Sequence, residues 1–214
     1  MTPIEKYFGH IVVINLQRRP DRWLHVLDEM SKLGIKRFER FEAIDAGPTD
    51  GNRGCSASHK AVMKMIVDRG WDKCLVLEDD FACCIDDPQM RFAAFMPEIP
   101  ANFDMLYLGG HFGSNPQYWQ NKHLVRIGQM KTTSSYGVTR KSATELYEVV
   151  PTDTIDSIDN LYGVYNEAKE CYICEPRLFV QYKNYSDLQQ REMDNSVCML
   201  DKGHIERLGK YVPR

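Results

Sequence analysis

The chain has 214 residues, 43% of them hydrophobic and 27% charged, with a formal net charge of −3 at pH 7. That length fits one domain spanning 1–214, and a chain of this size buries about 70% of the surface its unfolded form exposes, so it needs no disulfide or structural metal to fold. The mild acidity excludes a global basic field, which leaves nucleic acid a disfavoured partner.

In chain order, His10 to Leu16 is a short run rich in Ile and Val, as in a strand buried on both faces. Pro20 and Asp21 then suit a first helical turn; Trp23, Leu27, Met30 and Leu33 follow at helical spacing, and Gly34 supplies the stop. Phe38 to about Asp45 reads as a second strand, leading into a loop rich in Gly, Pro and Asp (residues 47–51). Ser56 or Ser58 can cap the next helix, whose Ala57, Ala61, Val62, Met65 and Ile66 share a face before Gly70. Lys73 to Leu77 is a third buried strand that delivers Glu78, Asp79 and Asp80 at its carboxyl end. Asp104 to Leu108 reads as a strand stopped by Gly109-Gly110, and Thr132 to Thr139 as another, followed by a helix over Lys141 to Val149. A helix from Ser157 to Lys169 precedes a last strand over Tyr172 to Gln181. Strands alternating with helices predict an α/β fold with a mostly parallel central sheet and ligands at the carboxyl ends of its strands.

The N-terminus MTPIEKYFGH has no apolar signal core, and no stretch approaches about 18 apolar residues. A soluble, cytoplasmic protein without a transmembrane segment is expected. Seven scattered cysteines, an odd number, read as free thiols in a reducing compartment. Cys171 and Cys174 form a lone C-x-x-C, and the lack of a second pair at zinc spacing argues against a structural zinc.

Three adjacent carboxylates at a strand end repel one another, and a hard divalent cation relieves that repulsion by accepting their oxygens. Such an ion can also bridge nucleotide phosphates. A solvated acidic loop or a helix cap is the competing reading. There is no G-x-x-x-x-G-K-[ST] phosphate loop and no G-x-G-x-x-G after the first strand, which argues against P-loop and dinucleotide chemistry. Phosphatase or nuclease activity would call for further Asp/His clusters at two-metal spacing, and the sequence offers none.

Several segments together resemble glycosyltransferase family 25, which contains lipooligosaccharide galactosyl- and glucosyltransferases and collagen galactosyltransferases. The resemblance begins with Ile14-Asn15-Leu16, Arg18, Arg19, Asp21 and Arg22, and continues with Gly54-Cys55 and Ser58-His59. Leu77-Glu78-Asp79-Asp80, Asp104 with Leu108-Gly109, and Tyr136-Gly137 follow. Pro151 to Asp159, Gln181 and Ser186-Asp187 complete it, in order from about residue 10 to 190. The resemblance implies a GT-A type, Rossmann-like domain that moves galactose or glucose from a UDP-hexose to an acceptor hydroxyl with inversion, using Mn²⁺ or Mg²⁺. It implies Asp80 as metal ligand, with Glu78 supporting the metal or touching the ribose, and Asp187 as a further ligand. Asn15, Arg18, Arg22, Ser58, His59, Asp79, Gln181 and Ser186 would line the donor site, where arginine forks match phosphate oxygens. Ser58 and His59, read as a helix N-terminus, would suit an anion or a sugar hydroxyl.

Inverting transfer needs a base for the acceptor hydroxyl. Asp156 is the first choice and Asp159 the second; at i, i+3 they would share a helical face, though either can equally be a cap. Tyr107, Tyr136 and Trp119 read chiefly as packing and His204 as a surface histidine. The acceptor can be a glycan, glycolipid or protein hydroxyl. Two other readings stay open: a glycosyltransferase acting on a nucleic-acid base, with a groove around Lys122, His123, Arg126, Lys131, Arg140 and Lys141, and a catalytically silent nucleotide-sugar-binding scaffold.

Overall fold

The computed structural model describes residues 1–47 and 49–213; Pro48, in the expected loop, lies outside them. Helix α1 (Pro3–Phe8) precedes β1 (His10–Asn15), α2 (Pro20–Lys32), β2 (Glu39–Glu42), α3 (Gly51–Asp68), β3 (Lys73–Glu78) and β4 (Phe81–Cys83). Then come α4 (Pro88–Phe95), β5 (Met105–Tyr107), β6 (His111–Phe112), β7 (Tyr118–Trp119), β8 (Leu124–Arg126), β9 (Met130–Lys131), β10 (Ser135–Thr139) and α5 (Arg140–Val149). The remainder is α6 (Ile158–Ala168), β11 (Cys171–Cys174), β12 (Phe179–Gln181), β13 (Asn184–Ser186), β14 (Arg191–Met193), α7 (Ser196–Leu200) and α8 (Gly203–Glu206).

The main sheet has the order β2-β1-β3-β10-β5-β11-β8-β7. Strands β2, β1 and β3 are parallel, as are β5 and β11, while β10 enters antiparallel between β3 and β5. With β8 also reversed against β11 and β7 reversed again against β8, most strands point one way. The α/β architecture expected from the alternating pattern is therefore present.

The sheet is covered on both faces, and strict two-residue alternation divides its side chains. Ile11, Val13, Leu75 and Leu77 pack with Val26, Met30 and Phe92 from α2 and α4. Val12, Ile14, Cys74 and Val76 pack with Val62, Ile66 and Leu146 from α3 and α5. Burial on both faces is why these strands read as unbroken apolar runs. The same alternation puts Cys171 in one core and Cys174 in the other. Residues three apart in a strand face opposite ways, so this C-x-x-C cannot clasp one ion.

Three expectations change. Helix α3 starts at Gly51 behind Asp50, so Ser56 and Ser58 are interior positions; Ser58 Oγ instead donates back to the Gly54 carbonyl at 2.7 Å. The helix can begin early because Gly54 lets the preceding loop lie against it: a Cβ there would stand 2.5 Å from the Ile44 carbonyl oxygen. The strand expected over Tyr172 to Gln181 is two strands, β11 and β12, separated by residues 175–178 around Pro176, which has no amide hydrogen for a ladder. Gly109 permits that rerouting, since a Cβ there would collide with the Phe179 carbonyl. Finally, α6 starts at Ile158 with Ser157 as N-cap, so Asp156 lies outside the helix and shares no helical face with Asp159. No helix among the described residues is long and apolar enough to cross a membrane.

Candidate active site

The carboxyl ends of β1 and β3 open into a cavity of about 550 Å³. Its wall is completed by the loop after β2, the start of α3, residues 131–133, the start of α6, and the β13–β14 hairpin. This is where an α/β sheet of parallel strands presents a ligand site.

Alternation along β3 separates the three carboxylates. Glu78 continues the Cys74–Val76 face toward α3, whereas Asp79 turns toward α2. Glu78 Oε1 accepts from Thr133 Oγ1 at 2.5 Å and lies 3.1 Å from His59 Nε2. The other ring nitrogen of His59 is 2.8 Å from the Tyr136 hydroxyl. Asp79 accepts from Asn15 Nδ2 and from an Arg22 Nη, each at 2.6 Å. Asp80 is 3.6 Å from the same guanidinium nitrogen. Strand β12, paired with β4, brings the Gln181 amide to Asp80 at 3.3 Å and to Glu78 Oε2 at 3.5 Å. Asn195 orients that amide by donating to Gln181 Oε1 at 2.7 Å.

The electrostatics follow from this division. Burial raises the Glu78 carboxyl, but the His59 and Thr133 hydrogen bonds outweigh it and hold the group below its ordinary value. Burial raises Asp79 despite Arg22 and Asn15. Asp80 is pushed up to about 7, first by burial and then by Glu78, with Arg22 opposing and Asp79 adding to the rise. Three enclosed carboxylates thus share one buried guanidinium. Asp80 is the group left short of positive charge, with oxygens of the hard kind that Mn²⁺ and Mg²⁺ take. Asp80 and Glu78 both face the Gln181 amide, so these two carboxylates could offer oxygens to one cation from its two sides.

At the cavity rim, Arg18 pairs with Asp45 at 2.7 Å and with Asp187 at 2.6 Å. Arg19 also binds Asp187 and pairs with Asp21 at 2.7 Å. Asp187 is accordingly held below the usual carboxylate range by its two arginine partners, against the effect of burial. Arg22, expected at the diphosphate, is committed to Asp79 and to the hairpin, where it meets Asn184 and donates to the Tyr185 carbonyl at 2.9 Å.

The cavity brings together Arg18, Arg22, Ser58, His59, Glu78, Asp79, Asp80, Asp159, Gln181, Ser186 and Asp187. Asn15 supports it from behind, holding Asp79 and accepting from Arg40 at 2.5 Å. Asp159 lines the cavity and accepts from the Thr132 amide at 3.2 Å, whereas Asp156 is exposed and does not line it. Ser58 and His59 sit inside α3, so the anion site expected at a helix start does not form around them. Tyr107 and Tyr136 are core residues, and His204 lies 3.2 Å from Asn115 Oδ1. Of the six residues of the basic acceptor groove, Lys131 lines the cavity and three are engaged elsewhere. Arg126 is buried against backbone carbonyls, while Arg140 and Lys141 pair with Asp72 and Asp104. Cys55 and Thr133 are cavity residues not anticipated as site groups; for Cys55 the i, i+4 spacing to His59 was the available signal. Burial pushes the Cys55 thiol well above its ordinary value.

No family model matches the chain. It is 30% identical to the procollagen lysyl hydroxylase and glycosyltransferase of Acanthamoeba polyphaga mimivirus, over 78% of this chain and 24% of that protein. It is 26% identical to glycosyltransferase 25 family members of Anopheles gambiae and Aedes aegypti, in each case over 71% of this chain and 30% of the relative. The chain therefore spans about a quarter to a third of the relatives it matches. Among solved structures, a Drosophila β1,4-galactosyltransferase 7 mutant in complex with manganese, UDP-Gal and xylobiose is 11% identical with a TM-score of 0.49, over 96% of this chain and 81% of that one. A197 from STIV is 9% identical with a TM-score of 0.49, over 86% and 93%.

Proposed function

We propose that this glycosyltransferase-family-25-like chain is one GT-A type domain that moves a hexose, galactose or glucose, from a UDP-sugar to an acceptor hydroxyl with inversion. The observation that carries the reading is the enclosed Glu78-Asp79-Asp80 run at the carboxyl end of a parallel strand, short of positive charge and facing a cavity of about 550 Å³. Asp80 and Glu78 would hold Mn²⁺ or Mg²⁺. When bound, the ion supplies positive charge that neutralises the departing diphosphate.

The chain's own groups take the other roles. Arg18 and Arg19 would exchange Asp187 for the diphosphate, because a guanidinium fork matches phosphate oxygens as well as carboxylate. Asp187 becomes available as a ligand only after that exchange. Arg22 positions Asp79 and the hairpin rather than the donor. Ser186 and Gln181 line the donor side. Asp159 is the better-placed base than Asp156, since it faces the cavity and is oriented by the Thr132 amide. It would take the acceptor proton as that oxygen attacks the anomeric carbon, while the bond to the UDP oxygen breaks and its electrons leave with the diphosphate.

The acceptor would be a glycan, glycolipid or protein hydroxyl. The mimivirus relative, whose name joins procollagen lysyl hydroxylation to glycosyl transfer, favours including proteins.

The test is hydrolysis of a panel of UDP-hexoses by the purified chain, with Mn²⁺ and with chelator. Slow metal-dependent UDP release that vanishes in Asp80→Ala is expected. Absence of release from every nucleotide sugar, together with no metal-dependent nucleotide binding, would overturn the reading.

A further inference from the structure

The α3 side of the cavity contains a donor set of a different chemical kind from the Asp80 side. Cys55 and His59 are four residues apart within α3 and so project from one helix face. Glu78 reaches them from the end of β3. The Cys55 sulfur, a His59 ring nitrogen and a Glu78 carboxylate oxygen all lie within 4.8 Å of one another. Ligands of a tetrahedral zinc at roughly 2.0–2.3 Å stand about 3.3–3.8 Å from one another, so the three side chains need close by no more than about 1–1.5 Å to hold the ion.

We infer that Cys55, His59 and Glu78 form a second cation site, selective for zinc or a similar borderline divalent ion. Three features support it. The set mixes sulfur, imidazole nitrogen and carboxylate oxygen, which suits zinc and not the hard ions favoured by an all-oxygen site. His59 already has an outer hydrogen-bond partner that fixes its ring, as metal-bound histidines do: its Nδ1 meets the buried Tyr136 hydroxyl at 2.8 Å, leaving Nε2 directed at Glu78. Glu78 Oε1 is likewise fixed by Thr133. All three ligands also line the cavity, so a fourth position stays open to water or a ligand, as in zinc sites that bind or activate small molecules.

Glu78 joins the two halves of the cavity. Its Oε1 faces His59 and its Oε2 faces Gln181, beside Asp80. One carboxylate thus presents one oxygen to each side. On binding, the Cys55 thiol gives its proton to solvent, and the cation takes the position now spanned by the His59–Glu78 hydrogen bond.

Cobalt(II) reports this site directly and without any nucleotide sugar, so the result is independent of the transferase reading. The whole chain, stripped with chelator and titrated with Co²⁺, should show a thiolate-to-cobalt charge-transfer band saturating at one equivalent. The band should be lost in Cys55→Ser and retained in Cys198→Ser, because Cys198 is an exposed cysteine elsewhere. It should also persist in Asp80→Asn, the change that removes UDP release if the transferase reading holds. A wild-type protein without the band, or a band that survives Cys55→Ser, overturns the site. If Cys55→Ser fails to fold, alkylation mapping on the wild type decides instead. Zinc should shield Cys55 and leave Cys198 reactive; equal labelling of Cys55 with and without zinc overturns the proposal. Tyr136→Phe should weaken zinc binding by about 10–100-fold in competition with a chromophoric chelator, and unchanged affinity would remove His59 from the site.

Discussion

Two groups of ion pairs draw their cations from one short segment, residues 18–22. Arg22 meets Asp79 with the two side chains only 10% and 7% exposed. Arg18 meets Asp187 with 46% and 21% exposed. The first pair is enclosed by α2, β3 and the hairpin, where neither charge has water to fall back on. The second sits at the cavity rim, where solvent can replace either partner. Identical chemistry therefore does two jobs: the buried pair holds the acidic run in place, and the rim pair leaves Arg18 in reach of solvent.

The sharpest way to break the comparison is Arg22→Ala, which leaves Asp79 and Asp80 enclosed without their cation. Breaking a buried pair in this way should cost about 3–5 kcal/mol, seen as a lower urea midpoint. Next comes pH. The Asp80 carboxyl is raised in the fold from 3.8 to about 7, so the folded state binds the extra proton. Stability contributed at Asp80 should therefore fall as pH rises from about 4 through 7, by on the order of 4 kcal/mol, with the whole cost present above 7. In Asp80→Asn that slope should shrink to the part contributed by Asp79, which burial also raises, and the variant should be the more stable at pH 8 by chemical denaturation. A steeper or unchanged slope would put the charge imbalance elsewhere.

Smaller again is the effect of metal. Mn²⁺ at 100 times its dissociation constant should stabilise the protein by about 2.7 kcal/mol in a thermal melt. Chelator should reverse the gain, and Asp80→Asn should abolish it. Smaller changes are expected at the rim: Asp187→Asn, which removes one exposed and one half-buried partner, should cost about 1–2 kcal/mol, less than Arg22→Ala. Arg18→Ala, at an exposed pair, should be the mildest, under about 1 kcal/mol in denaturation, yet raise KM for the UDP-sugar. A large loss of stability in either rim variant would erase the distinction between the two groups.

Much of the central sheet was legible because its strands obey local rules. His10–Asn15 and Lys73–Glu78 are apolar runs whose boundaries differ from expectation by a residue, and Gly34 and Gly70 adopt positive φ at the ends of α2 and α3, as stops should. The acidic run at a strand end was legible for the same reason. Elements held mainly by distant contacts were missed. Strand β12 is 3 residues paired to β4 across nearly half the chain, whereas the 6-residue helix α1 carries a local capping box of Thr2 and Glu5 with Pro3 at its start, a signal that went unread. The start of α3 was misjudged because serines are good caps wherever they occur; its true start depends on Gly54 accepting a backbone from outside the helix.

Periodicity and spacing along the chain were enough to fix β1, β3, β5 and β10 with helices α2, α3, α5 and α6 in their order, the position of the acidic run and the presence of arginines near it. Folding was needed to show which arginine is buried, that Asp159 and not Asp156 faces the cavity, and that Cys55 and His59 converge on Glu78. Those outcomes depend on which face of β3 each carboxylate takes and on what β12 and the hairpin carry across the chain to meet it. Charge partnership and burial are properties of distances between remote residues, and local spacing does not contain them.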